Sequence, residues 1–191
     1  ETDRLFTSVM TDHGKLGKSL ADAVIQGKAV KVGILSGNQS QLGMRQRLKS
    51  VKDKLEEAGI EISWILSEKE LDKKMRNVEY FAEQPVDTVI SLDNDDTEKA
   101  VDIILNDDRI SWKLYGEGRS EKLIYYLDKG TIQELAVPNE YYMGYQSIVL
   151  AAQNIRYYTD KTEQAEVEFY MVSKDNLYDE ETSRILFPAV R

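Results

Sequence analysis

The feature that most restricts this chain is an alternation. Four times, near residues 6–11, 30–36, 86–92 and 112–116, a short apolar run ends in a polar loop and a helical pattern follows. The runs at 30–35 and 86–92 are nearly all apolar, as central parallel strands buried on both faces are. Strand–helix–strand alternation implies a mainly parallel sheet, right-handed crossovers and helices on both faces. In such sheets ligands bind beyond the carboxyl ends of the strands. The polar loops are therefore where function is expected.

β-branched and aromatic runs bounded by Gly, Asp, Asn and Ser place strands near 6–11, 30–36, 61–66, 87–92, 112–116, 131–137 and 166–172. Apolar residues at three- and four-residue spacing place the helices. The first carries Leu16, Leu20 and Val24; the second Leu48, Val51, Leu55 and Ala58, ending at Gly59. A third carries Leu71, Met75, Val78 and Phe81, and a fourth Ala100, Val101, Ile104 and Leu105. A short fifth carries Leu123, Tyr126 and Leu127 and closes at Gly130. A long sixth carries Met143, Tyr145, Ile148, Val149, Ala152 and Ile155. Residues 156–165 read as a solvent loop, and 173–191 as an irregular tail.

Composition removes several functions. The net charge of −9 argues against broad nucleic-acid binding, which needs a basic surface to displace counterions. No cysteine is present, so thiolate chemistry and disulfides are excluded; the single His13 excludes a multi-histidine metal site. No apolar run approaches the roughly 20 residues that span a bilayer. Glu1 is not a natural start, so upstream sequence is expected.

Two loops carry candidate chemistry. After the strand at 30–36 comes Ser36-Gly37-Asn38-Gln39-Ser40, then Arg45 and Arg47 at a helix start. Neither a dinucleotide fingerprint nor a P-loop fits it. An arginine there opposes the helix dipole, so it either bridges ligand hydroxyls or carboxylates or sits in a surface ion pair. After the strand at 87–92 comes Asp93-Asn94-Asp95-Asp96. One acid, Asp95 or Asp96, is expected to cap the helix. The others fit hydrogen bonding to a polyhydroxyl ligand, or a hard divalent cation if Asp12 and Glu117 converge there. His13 is read as a solvated loop residue, and Tyr141, Tyr142 and Tyr145 as helix packing.

In this order the loops resemble the periplasmic-binding-protein-like fold of type I, shared by sugar-binding proteins of ABC importers and the sensor domains of lac-repressor-like regulators. The resemblance is carried by Thr11-Asp12-His13-Gly14-Lys15-Leu16-Gly17, by 43–51 with Arg47, by 86–95 and by Tyr126-Leu127-Asp128-Lys129-Gly130-Thr131-Ile132 followed by 141–145. It implies a three-layer αβα sandwich with a mainly parallel sheet: one lobe of a two-lobed fold plus crossing segments. Residues 1–12 would end a first-lobe strand and make the first crossing, and 13–138 would form the second, ligand-binding lobe. Residues 139–165 would belong to the first lobe, and 166–191 would be the last crossing strand and tail.

The resemblance also implies site residues. Arg47 falls on the family's ligand arginine, Asp93 on its sugar-binding asparagine with Asn94 beside it, and Asp12 on a crossing where ligand contacts occur. The family's ligand aspartate falls at Gly118, beside Glu117, and its ligand glutamine at Pro138, beside Asn139. A non-enzymatic, extracytoplasmic protein is implied, without cofactor or metal, binding a small polar ligand, a sugar in class, for an ABC importer permease. The alternatives are the effector domain of a regulator or membrane sensor, such as one feeding a sensor kinase, and a metal-dependent phosphoryl-transfer enzyme using Asp12, Asp93 and Asp95. The tail residues Val172–Asn176, Tyr178 and Pro188 resemble exported binding proteins more than repressors. Arg47→Ala is expected to abolish binding and leave the fold intact. Self-association through the face left by the first lobe is a further expectation.

Overall fold

The alternating runs assemble into a six-stranded sheet in a computed structural model that describes residues 8–76, 79–157 and 164–187. In chain order the elements are β1 (Ser8–Met10), α1 (His13–Gln26), β2 (Lys31–Leu35), α2 (Leu42–Glu57), β3 (Glu61–Leu66), α3 (Glu68–Lys74), α4 (Glu79–Glu83) and β4 (Thr88–Ser91). There follow α5 (Asn94–Asn106), β5 (Lys113–Glu117), α6 (Glu121–Lys129), β6 (Ile132–Pro138), α7 (Glu140–Tyr157), β7 (Gln164–Glu166), β8 (Phe169–Ser173) and α8 (Glu180–Leu186). The sheet order is β3-β2-β4-β5-β6-β8, parallel except for β8, which runs against β6. β1 and β7 pair in parallel as a separate two-stranded sheet.

The period-2 pattern of the strands divides the core into two layers. Val32, Ile34, Ile90, Tyr115 and Ala136 face α1 and α2, where they meet Leu16, Leu20, Val24, Val51 and Leu55. Leu35, Val89, Leu114, Leu135, Val137 and Val172 face the other way, onto α3, α5, α6 and α8. In that second layer Phe81 packs edge-on to Trp112, with ring centroids 5.3 Å apart, and to Trp64 at 6.0 Å. The expected three-layer αβα sandwich is therefore the observed one.

Several local expectations change. The span 71–81 is two short helices rather than one, with Leu71 and Phe81 both buried; Val78 lies outside the described residues. In α5 the inward stripe is Ala100, Val101 and Ile103, while Leu105 is exposed. The single strand at 166–172 breaks at Val167–Glu168, so that β7 joins β1 and β8 closes the main sheet. The tail forms α8, whose Ile185 and Leu186 enter the core with Leu177; an acid at Asp179 and Glu180–Glu181 in the first turn suit a helix start. Of the loop expected at 156–165, Arg156 and Tyr157 belong to α7 and Gln164 and Ala165 to β7; residues 158–163, like 6–7 and Pro188, lie outside the described residues. No described residue of α7 is fully buried, although its sequence is apolar on more than one side.

Candidate functional site

The chain leaves β2 through α2 to reach β3 on one side, then crosses to β4 on the other. Loops from β2 and β4 thus diverge at a topological switch point, where α/β sheets bind ligands. A hollow of about 360 Å³ opens there. Asn38, Gln41 and Met44 line it from the β2–α2 connection, Glu68 from the start of α3 and Asp93–Asp96 from the start of α5. Glu117 at the end of β5 and Glu140 at the start of α7 complete it.

Asp93, not Asp95 or Asp96, is the N-cap of α5. Its Oδ1 accepts from the Asp96 backbone N–H at 2.8 Å, satisfying one of the orphan donors of the first turn. Its Oδ2 lies over Gly37, which sits at φ +64°; a β-carbon there would collide with that carboxylate and strain the backbone as well. Asp96 is fully buried. It accepts from the Gly37 N–H at 3.2 Å and from Lys99 Nζ at 3.3 Å. Burial, then the neighbouring Asp93 charge, pushes its pKa up to about 6. Thr97 Oγ1 donates to the carbonyls of Asp93 and Glu117, tying the β4 and β5 ends together. Asn94 Oδ1 accepts from the N–H groups of Arg119 and Ser120 and so shapes the β5–α6 loop.

Arg47 stands behind this wall rather than in it. It is 4% exposed and does not line the hollow. Its Nε donates to His13 Nδ1 at 3.1 Å, its Nη1 donates to the Leu92 carbonyl, and the same Nη1 is 3.3 Å from Glu117 Oε2. The ion pair is buried, not the surface pair that the sequence allowed. Gly17 lets α1 approach α2 here; a β-carbon on it would lie 2.5 Å from the Arg47 carbonyl oxygen. His13 is half-buried and accepts from Arg47, not a solvated loop residue; burial, then the arginine's charge, lowers its pKa. Burial raises the Glu117 pKa to about 7, with Arg47 opposing and Asp93 reinforcing the shift.

Of the six site residues expected from sequence, Asp93, Asn94 and Glu117 line the hollow together. Arg47 reaches it only through Glu117. Asp12 does not line it: it caps α1, accepting from the Lys15 N–H at 2.9 Å, a bond that lowers its pKa. Asn139 caps α7 through the Tyr142 N–H at 3.1 Å and also lies outside the hollow. Asp12, Asp93 and Glu117 do not converge as a metal centre; among the described residues no group of three or more such side chains is placed to hold an ion. Glu68 and Glu140 were not foreseen. Glu68 was legible as the second residue after a strand end, whereas Glu140 arrives from a helix outside the parallel sheet. A broader groove of about 910 Å³ adjoins the hollow, sharing Asn94, Glu117 and Glu140 and running between α6 and Tyr178.

A family model described as a periplasmic binding protein domain matches residues 2–158. The chain belongs to that family. Its fold is that of solved type I binding proteins. A carbohydrate-transporter solute-binding protein from Agrobacterium radiobacter, solved in complex with D-arabinose, superposes with a TM-score of 0.83 at 16% identity, over 95% of this chain and 65% of that one. A substrate-binding protein of a sugar ABC transport system from Bordetella parapertussis gives 0.83 at 17%, over 97% and 63%. A putative LacI transcriptional regulator from Bacteroides fragilis gives 0.77 at 14%, over 90% and 63%. The chain thus spans about two thirds of these relatives' length or slightly less, as one lobe with crossing segments does. No curated protein matches it in sequence.

Proposed function

We propose that this chain is the ligand-gripping lobe of an extracytoplasmic solute-binding protein that takes a small polar ligand, a carbohydrate in class, for an ABC importer. The observation that carries the reading is the hollow at the switch point, where Asn38, Gln41, Asp93, Asn94 and Glu117 present hydrogen-bonding groups from three strand ends. Arg47 acts from behind by holding Glu117 and the Leu92 carbonyl in place. Residues 139–165 belong to the opposing lobe, whose closure over the hollow would bury the ligand and favour the closed state by differential affinity. The protein is not an enzyme in this reading, and the chain itself contacts no nucleic acid. No helix among the described residues is long and apolar enough to cross a membrane.

The sensing alternative draws on the likeness to the Bacteroides regulator; the same lobe would then report ligand to a regulator or sensor kinase. Isothermal titration of the full-length protein with a panel of monosaccharides tests the shared claim. Saturable one-to-one heats are expected, and their absence across pentoses, hexoses and their amino derivatives would refute it.

A further inference from the structure

His13 is the one histidine of the chain, and α2 holds it at two points. It opens α1, directly after the link from β1. The first turn of α2 packs on the edge of its ring: a β-carbon on Gly43 would lie 2.5 Å from His13 Nε2 and Cδ2. One turn further on, Arg47 Nε stands 3.1 Å from Nδ1. An arginine Nε–H can only donate. Nδ1 is therefore the acceptor and bears no proton, which places the ring proton on Nε2. A protonated ring, a donor at both nitrogens, could not make this bond.

From Arg47 the contacts run on to the hollow. Its Nη1 donates to the Leu92 carbonyl and lies 3.3 Å from Glu117 Oε2, and Glu117 lines the hollow. The guanidinium is planar and rigid, so a turn at Nε also turns Nη1. The contact with His13 therefore helps to decide where Nη1, and with it Glu117, points.

We infer that His13 is a positioning residue of the solute site: its unprotonated Nδ1 sets the plane of Arg47, Arg47 sets the Glu117 side of the hollow, and protonation of the ring in acid releases both. This rests on the solute-binding reading above. The charges around the ring fix the direction of the effect. Burial, then the Arg47 charge from α2, opposes protonation, while Asp12 at the cap of the same helix favours it. Asp93 at the α5 cap and Glu140 at the start of α7 bear on Glu117 rather than on the ring. The ring thus takes its proton below the ordinary 6.5, so the arrangement is whole at neutral pH and is lost as pH falls. A histidine that only filled space would yield to leucine more readily than to asparagine. Positioning reverses that order, because asparagine returns an amide oxygen near the place of Nδ1 and leucine returns no acceptor.

The test is calorimetric titration of the full-length protein with D-arabinose, D-glucose and D-galactose at pH 7.5 and 5.0, beside His13→Leu and His13→Asn. At pH 7.5 His13→Leu is expected to weaken sugar binding about tenfold, as the loss of a charge-assisted hydrogen bond would. His13→Asn should recover the larger part of that loss. Between pH 7.5 and 5.0 the native affinity should fall about threefold or more beyond the fall in His13→Asn, which keeps the titrations of Glu117 and Asp96 and lacks only that of the ring. Nitrogen NMR of the native imidazole, assigned by its loss in His13→Asn, should show Nδ1 unprotonated at pH 7.5 and a midpoint below 6.5. Leucine tolerated as well as asparagine, equal acid limbs in the native protein and His13→Asn, or a proton on Nδ1 would each overturn the inference and leave the solute-binding reading standing. Failure of all three sugars and of the wider monosaccharide panel would remove both.

Discussion

α1 and α7 read alike in sequence, each with apolar residues at helical spacing, yet the fold treats them oppositely. In α1, Leu16, Leu20 and Val24 are wholly buried against the sheet and α2. In α7, Ile148 is 72% exposed and Ile155 76%, and three tyrosines are exposed near its start. Periodicity tells a helix which stripe it must cover; it does not say what covers it. The sheet with α1–α6 and α8 supplies its own cover. α7 touches the chain chiefly through β1, which the proposed reading gives, with α7, to the opposing lobe.

The contrast is sharpest under core substitution. Leu20→Ala should cost about 2–5 kcal/mol, because a fully buried leucine leaves both lost transfer energy and a cavity. Urea denaturation would measure it, and a loss under about 1 kcal/mol would mean that the α1 layer is not the tightly packed one. Arg47→Met comes next. Removing one member of a buried pair costs about 3–5 kcal/mol when the other stays charged. Glu117 can take up a proton instead, so about 2–3 kcal/mol is expected at pH 7. This replaces the sequence-based expectation that losing Arg47 spares the fold. Unchanged stability would show the pair to be idle. Gly37→Ala should cost about 1–3 kcal/mol, from the left-handed backbone alone.

A smaller effect follows from pH. Both Glu117, raised from 4.5 to about 7, and Asp96, raised from 3.8 to about 6, hold their protons more tightly folded than unfolded. Their contribution is therefore full below about pH 4 and is lost as pH rises towards 6 for Asp96 and 7 for Glu117. The melting temperature of the native chain, compared with Glu117→Gln, should fall more steeply between pH 4.5 and 7; parallel curves would contradict the assignment. The smallest change belongs to α7. Ile148→Ser should alter stability by no more than about 0.5 kcal/mol in this chain. In sedimentation the same variant should weaken any self-association through this face, and a larger stability loss would mean that α7 is packed after all.

These contrasts mark what could be read from residues alone. The central strands were legible because Val32, Ile34, Val89 and Ile90 leave no polar face. The terminators were legible too: Gly130 ends α6 at φ 83° and Ser120 caps its start. Asp93 and Glu117 were found because both stand at strand ends. The burial of Arg47 was not legible, since its partners His13, Leu92 and Glu117 come from three different connections that only the sheet order brings together. The choice of Asp93 as cap over its neighbours was equally hidden. Four adjacent polar residues offer the same chemistry, and the backbone entry angle, φ −146° and ψ 165°, selects one. α8 was missed because a seven-residue helix with three inward residues is too short to show a period.

The chain departs for α7 at Pro138–Asn139 and returns at Val167–Phe169, on two neighbouring antiparallel strands stitched by the Asn139 N–H to the Glu168 carbonyl at 3.2 Å. Exit and re-entry thus share one seam at the rim of the sheet. With the Thr11–Asp12 link from β1 into α1, that seam gathers the joints between α7 and the sheet at one rim, two and more strands away from the β2 and β4 loops, so a substitution that stiffens the rim leaves the hollow's own walls untouched.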